Sequence, residues 1–207
     1  MRCKASLSPI DTHLAQNFGA ALCGDGIPDG FPFLVKLIDA AQDLSVQVHP
    51  GKDLHDDERK DESWILLRAD TKASLIHGFN GSVSREQLGE ALAHGDPMPL
   101  FRQVPVTAGT IVRVPPGTVH AIGAGILLLE VQDPMPRTYR LWDYARRGLD
   151  GNPRELHVEQ ALRAIDWTIV PSFSSLVLCL RTAGVTGDFS CRHLAIVSKI
   201  FNFQAGS

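Results

Sequence analysis

Short runs of alternating apolar and polar residues fill most of this chain, and Gly, Pro and Asp break them at close intervals. Phe33-Leu-Val-Lys-Leu-Ile is a compact β-like run, and Asp39 to Asp43 reads as a turn or a single helical turn. In Leu44 to His49, Val46 and Val48 alternate with Gln47 and His49, which predicts a strand with one apolar face and one face carrying an amide oxygen and an imidazole. Pro50 to Arg59 is polar and acidic, as in an exposed loop. Glu62 to Arg68 and Ala73 to Phe79 predict two strands around an Asp70-Thr-Lys turn. Ser84 starts a helix, with Gln87 three residues on as in a capping box, Leu88, Ala91 and Leu92 on one face, and Gly95 at its end. A proline-bearing connection leads through Val104-Pro-Val to the strand at Gly109 to Val114, where Val112 and Val114 share one side and Ile111 and Arg113 the other. Pro115-Pro-Gly then forces a tight turn that sets His120 just past a rigid corner.

Downstream, Gly125 to Gln132 is an apolar run with one carboxylate, Glu130, on the same face as Leu128 and Gln132. Arg137 to Tyr144 reads as a strand, and Asn152-Pro-Arg-Glu-Leu-His opens a helix through Ala164. Two more strand-like runs, Leu176 to Arg181 and His193 to Phe203, follow Pro171. Residues 1–30 have little pattern beyond a short helix near Asp11 to Phe18 and a Gly/Asp/Pro cluster that ends it. Many short strands, few helices and no repeat predict a mainly β protein, a barrel with helical insertions.

Composition narrows the function classes. The chain has 207 residues and a formal charge of −3 without a dense Lys/Arg tract, which argues against nucleic acid as the main partner. An anionic small molecule stays open through a few local bases. Cys3, Cys23, Cys179 and Cys191 form no C-x-x-C pair, and neither a signal peptide nor an apolar run of membrane-spanning length is present. Free thiols in the cytoplasm are the expectation.

Four polar groups stand out against this apolar pattern. Gln47, His49, Glu62 at the mouth of the next strand, and His120 make a mixed N/O set that suits zinc, although Mn or Fe(II) takes similar sites. Each histidine alone reads as a hydrogen-bonded core residue; only the constellation points to a metal. His13, His55, His77, His94 and His193 have no partner at ligand spacing and read as structural; His157 at its helix start reads the same way, with a contact to a site residue as its alternative. Trp64 and Trp142 read as packing residues. By residue type alone, Arg140 reads as a surface salt bridge to Asp143 or Glu130, and Lys60, among Asp56, Asp57, Glu58 and Asp61, as a solvated charge.

Gly109 to His120, spaced G-x5-P-x-G-x2-H, resembles the second motif of the cupin superfamily of small β-barrels. Together FPFLVKLIDAAQDLSVQVHP, KDESW, PPGTVHAIGAGILLLEVQ, TYRLWDY and RELH resemble the type I phosphomannose isomerases in their short bacterial form, over about Phe31 to Asp166. The resemblance implies a cupin, jelly-roll-like fold and the zinc-dependent interconversion of mannose 6-phosphate and fructose 6-phosphate through an enediolate. By the same resemblance the zinc ligands are Gln47, His49, Glu62 and His120, Arg140 is the catalytic arginine and Lys60 a lysine at the site's rim, open to the substrate phosphate or the sugar hydroxyls. Glu130 is a candidate general base, or a partner that orients a ligand histidine. Where many relatives carry an acidic residue four positions before the arginine, this chain has Pro136, so that role does not transfer; Asp133 lies nearby.

On this reading, residues 1–30 are an N-terminal remnant, 31–150 the metal-binding cupin domain, 151–170 a connecting helix, and 171–207 an incomplete second β lobe, in a chain shortened at both ends. Monomer or homodimer stays open. The alternatives are a non-catalytic or decayed cupin that binds metal or sugar, and a Mn or Fe cupin oxidoreductase, which would favour three histidines where Gln47 stands.

Overall fold

The structure, a computed structural model, describes residues 33–51, 59–148 and 151–169. The expected helix near Asp11, the runs at 176–181 and 193–203, and all four cysteines lie outside the described residues, as do most of the 50–59 loop and His13, His55 and His193.

The strands, in chain order, are β1 (Leu34–Ala40), β2 (Val46–Val48), β3 (Glu62–Ala69), β4 (Ser74–Phe79), β5 (Phe101–Pro105), β6 (Ile111–Val114), β7 (His120–Ile122), β8 (Ile126–Gln132) and β9 (Tyr139–Trp142). They form two antiparallel sheets, ordered β1-β8-β3-β6 and β5-β4-β7-β2-β9, facing each other across a shared interior. Trp64, Leu66, Val112, Val114, Ile126 and Leu128 from the first sheet meet Leu75 and Ile122 from the second in that interior. The opposite face of the second sheet carries Val46, Val48, Ile76, Ala121 and Leu141 and packs against two helices, α1 (Arg85–His94) and α2 (Val158–Ala164). β2 is therefore buried on both sides: its valines face the helices, and Gln47 faces the barrel.

Several boundaries move, each for a local reason. β1 runs on through Asp39 and Ala40, because both pair with β8 (Asp39 with Leu127, Ala40 with Ile126) where a turn was expected. β7, too short to show a pattern in sequence, is held between β4 and β2. β5, expected as part of a connection, pairs with β4. The last helix starts six residues late, at Val158, because the backbone before it lies along β9: the His157 N–H donates to the Arg140 carbonyl at 2.8 Å.

α1 begins as expected. The Ser84 hydroxyl accepts from the Gln87 N–H, the Gln87 side chain accepts from the Ser84 N–H, and Gly95 ends the helix in the left-handed region at φ 80°. Ser84→Ala removes one of these two bonds, and thermal denaturation is expected to show a loss of about 1 kcal/mol. No helix among the described residues is long and apolar enough to cross a membrane.

Candidate metal centre

The Pro115-Pro-Gly-Thr corner is a type II turn, with Thr118 N–H donating to the Pro115 carbonyl at 3.1 Å and Gly117 at φ +83°. Only glycine fits there. A Cβ on Gly117 would stand 2.8 Å from the Asp166 Cβ. The corner is also tied at both sides, because Gly117 N–H donates to the His49 carbonyl at 2.9 Å and the Gly117 carbonyl accepts from Asp166 N–H at 3.0 Å. It thus fixes the end of β2, the start of β7 and the end of α2 against one another.

Cross-strand register then sets the inward faces. His77 of β4 lies opposite His120 of β7, His120 opposite Gln47 of β2, and Gln47 opposite Arg140 of β9, one row across the second sheet. Residues directly opposite in an antiparallel pair share a face, so all four belong to the barrel side. Across the interior, the first sheet presents Leu34, Gln132, Glu62 and Val114 in one row and Lys36, Glu130, Trp64 and Val112 in the next. One end of the barrel is polar within; further along the same strands, Ile38, Leu128 and Leu66 make it apolar.

Three of the predicted ligands converge there. The candidate ligand atoms of His49, Glu62 and His120, all buried, lie within 4.8 Å of one another. His49 Nε2 is 3.1 Å from Glu62 Oε1 and His120 Nε2 is 3.6 Å from Glu62 Oε2. Both rings use their other nitrogen on backbone: His49 Nδ1 meets the Arg137 carbonyl at 3.2 Å and His120 Nδ1 the Thr118 carbonyl at 2.8 Å. A carbonyl only accepts, so the proton sits on Nδ1 and the Nε2 lone pair faces the carboxylate. Lone pairs facing a carboxylate repel unless a cation lies between them: the Lys60 ammonium does so between His49 and Glu62 Oε1, and no cation of the described residues does so between His120 and Glu62 Oε2. Glu62 Oε2 is in fact buried with no hydrogen-bond partner, which a bound cation would supply. Gln47, the fourth predicted ligand, has its amide 3.3 Å from His120 Nε2. Turned end for end, that amide offers its oxygen to the same point. The donors and their orphaned oxygen fit a divalent metal of the zinc type.

Burial and the neighbouring His49 keep His120 neutral, lowering its pKa to about 3. Burial also lowers that of His77, whose Nε2–H donates to the Arg113 carbonyl at 2.9 Å. Glu62 is raised by burial but lowered by more by the charges around it, the Lys60 ammonium 2.7 Å away among them, and ends well below the usual carboxylate range. The signs agree: the two histidines bind a proton more readily in the unfolded chain, whose imidazoles titrate near 6.5. Their contribution is complete above about pH 6.5 and is lost as the pH falls below it. Melting curves of the metal-free protein should therefore shift to lower temperature between pH 7.5 and pH 5; an unchanged midpoint would contradict neutral buried imidazoles.

Lys60 is not the solvated charge that its acidic neighbours suggest. It is 4% exposed, with Nζ 2.7 Å from Glu62 Oε1 and 3.3 Å from His49 Nε2, inside the ligand cluster. Glu130 is buried and bound at both oxygens, by Lys36 Nζ at 2.8 Å and by the Trp64 indole N–H at 3.1 Å. Trp64 in turn stands edge-on to His120, with ring centroids 5.5 Å apart, so it orients the site as well as filling the core. Arg140 is half-buried and makes neither expected salt bridge; its Nη1–H donates to the Glu155 carbonyl at 2.7 Å. His157 accepts from the Arg140 backbone N–H, and Asp133 from that of Asp61. Sequence reasoning passed over Lys36. Its signal was a single cation in an apolar strand, matching the single carboxylate of the apolar β8.

Similarity to known proteins points to one family. The family model for type I phosphomannose isomerase, catalytic domain, matches residues 9–72. The chain is 41% identical over 148 residues to the mannose-6-phosphate isomerase ManA of Bacillus subtilis, covering 69% of this chain and 47% of that one. It is 40% identical over 158 residues to the mannose-6-phosphate isomerase of Streptococcus mutans, covering 74% and 49%. In three dimensions it superposes on the crystal structure of the Bacillus subtilis mannose 6-phosphate isomerase with TM-score 0.68 and 32% identity, over 77% of this chain and 52% of that one. A mannose 6-phosphate isomerase structure described as holo and zinc bound shares the fold at TM-score 0.54 and 16% identity, over 79% of this chain and 62% of that one. The chain spans about half the length of the curated relatives it matches. The cupin barrel, the strings that build it and these similarities place the chain in the type I phosphomannose isomerase family.

Proposed function

We propose that this protein is a zinc-dependent aldose–ketose isomerase of the cytoplasm that interconverts mannose 6-phosphate and fructose 6-phosphate through an enediolate. The observation that carries the reading is the convergence of two Nε2 lone pairs and an orphaned carboxylate oxygen, beside Gln47, inside a family barrel. Gln47, His49, Glu62 and His120 would hold one zinc, whose chemistry when bound is to polarise the sugar carbonyl as a Lewis acid.

The other roles belong to the chain itself. Arg140, on the same row as Gln47 and His120, holds negative charge developing on the enediolate and does not titrate in doing so. Glu130 is fixed by Lys36 and Trp64, and each of its oxygens keeps a lone pair for the proton that moves between C1 and C2. Lys60 neutralises Glu62 and offers its remaining protons to sugar hydroxyls.

The direct test is the formation of fructose 6-phosphate from mannose 6-phosphate by the purified, zinc-loaded chain. Turnover supports the isomerase; a folded, zinc-loaded protein without turnover would leave a metal- or sugar-binding cupin instead.

A further inference from the structure

Of the cations placed around the barrel's polar end, Lys60 is held by Glu62, Lys36 by Glu130, and Arg113 by Asp61 at 2.7 Å. None of these three is left over for a phosphate. The Arg-Glu-Leu-His string, which the metal centre does not use, lies along β9 immediately beside Arg140. The Arg140 guanidinium reaches the Glu155 carbonyl, and the next residue back is Arg154, whose Nη1 is 3.3 Å from Asp143 Oδ2. Arg154 is half-exposed at its side chain, whereas Asp143 is buried. Asp143 is already shared: Arg146 donates to it, and also to Gln42 and the Asp43 carbonyl, so Arg146 is fully engaged in holding this corner together. Three guanidiniums, Arg140, Arg146 and Arg154, thus face two carboxylates, Asp143 and the exposed Glu155. The cationic excess is local, and the buried Arg140 Nε has no hydrogen-bond partner.

We infer that Arg154, beside Arg140 on the segment that covers the outer edge of β9, binds the phosphate of the sugar phosphate. The proposal rests on the isomerase reading and gives that substrate a direction. From His120 through Gln47 to Arg140 is two inter-strand steps, about 10 Å. A ligand lying along this row has its carbonyl end at the metal ligands and its phosphate end past Arg140, where Arg154 stands. The planar fork of Arg154 suits a phosphate monoester dianion, and water at its exposed side lets substrate enter without breaking the Asp143 pair. The mutual repulsion of Arg140 and Arg154, which with burial lowers the pKa of Arg140, is relieved when an anion settles between them.

The test uses the zinc-loaded full chain with Arg154→Gln and Arg154→Lys. Steady-state kinetics should show KM for mannose 6-phosphate rising about 10- to 100-fold in Arg154→Gln with kcat within a few-fold, and partial recovery in Arg154→Lys. Binding of fructose 6-phosphate followed by 31P NMR should weaken in parallel, while zinc content and the weak binding of unphosphorylated fructose stay as in the parent, and the protein stays folded with a melting temperature lowered only by the loss of the Asp143 pair. Inorganic phosphate should compete in the parent and lose its effect in Arg154→Gln. An unchanged KM and an unchanged 31P titration in a folded Arg154→Gln protein would overturn the assignment. If the parent binds fructose 6-phosphate through Arg154 yet shows no turnover, the isomerase reading fails and the phosphate site stands.

Discussion

Stripping the metal with a chelator is expected to lower the turnover of mannose 6-phosphate by about three powers of ten, and adding zinc back to restore it, because Lewis-acid stabilisation of several kcal/mol is lost. Glu62→Gln should reproduce that loss without a chelator, since it keeps the shape of the side chain and removes the only carboxylate among the described ligands. The variant has a second effect. Lys60, 4% exposed, loses the carboxylate 2.7 Å from its Nζ and is left as a buried charge without its counter-ion, at a cost of about 3 kcal/mol in stability. Lys60→Met in the Glu62→Gln background should recover part of that stability and none of the activity. Zinc content by atomic absorption, read beside the melting curves, separates the two effects. Full turnover in a chelated, metal-free sample would rule out a metal-dependent reaction.

Arg140→Ala is expected to lower kcat by a factor of about 100 to 1,000, the usual loss when one donor to a developing oxyanion is removed. Its zinc content should match the parent's, because Arg140 is two strands from His120 and its guanidinium is hydrogen-bonded to the Glu155 carbonyl. Arg140→Lys should recover little, as a point ammonium cannot donate in a fork. A kcat within tenfold of the parent in the alanine variant would remove Arg140 from the chemistry and leave it as a strut on the Glu155 carbonyl.

The candidate ligands were legible in the sequence because each sits at a break in an otherwise apolar pattern. His120 follows a turn whose Pro and Gly have one conformational solution, and Gln47 alternates with two valines that the helices cover. Strand partners were not legible. Lys36 and Glu130 are 94 residues apart, and nothing in either apolar run says that they face each other across β1 and β8. Lys60 misleads for the same reason: its sequence neighbours are acidic, but the carboxylate it meets is the inward-facing Glu62. Helix α2 was read too long because Arg154 to His157 have no local feature that excludes a helix; the competing partner is the β9 backbone.

The Gly117 corner carries one further consequence. Its two backbone bonds join the carbonyl of a candidate ligand histidine to Asp166, just past the end of α2. These parts belong to one cooperative unit, opening and closing as a block instead of fraying separately. A cation taken up inside the barrel therefore slows amide exchange at Gly117 and Asp166 as well as around His49, and the free energy of ligation is felt on the far side of the sheet, in a helix that never touches it.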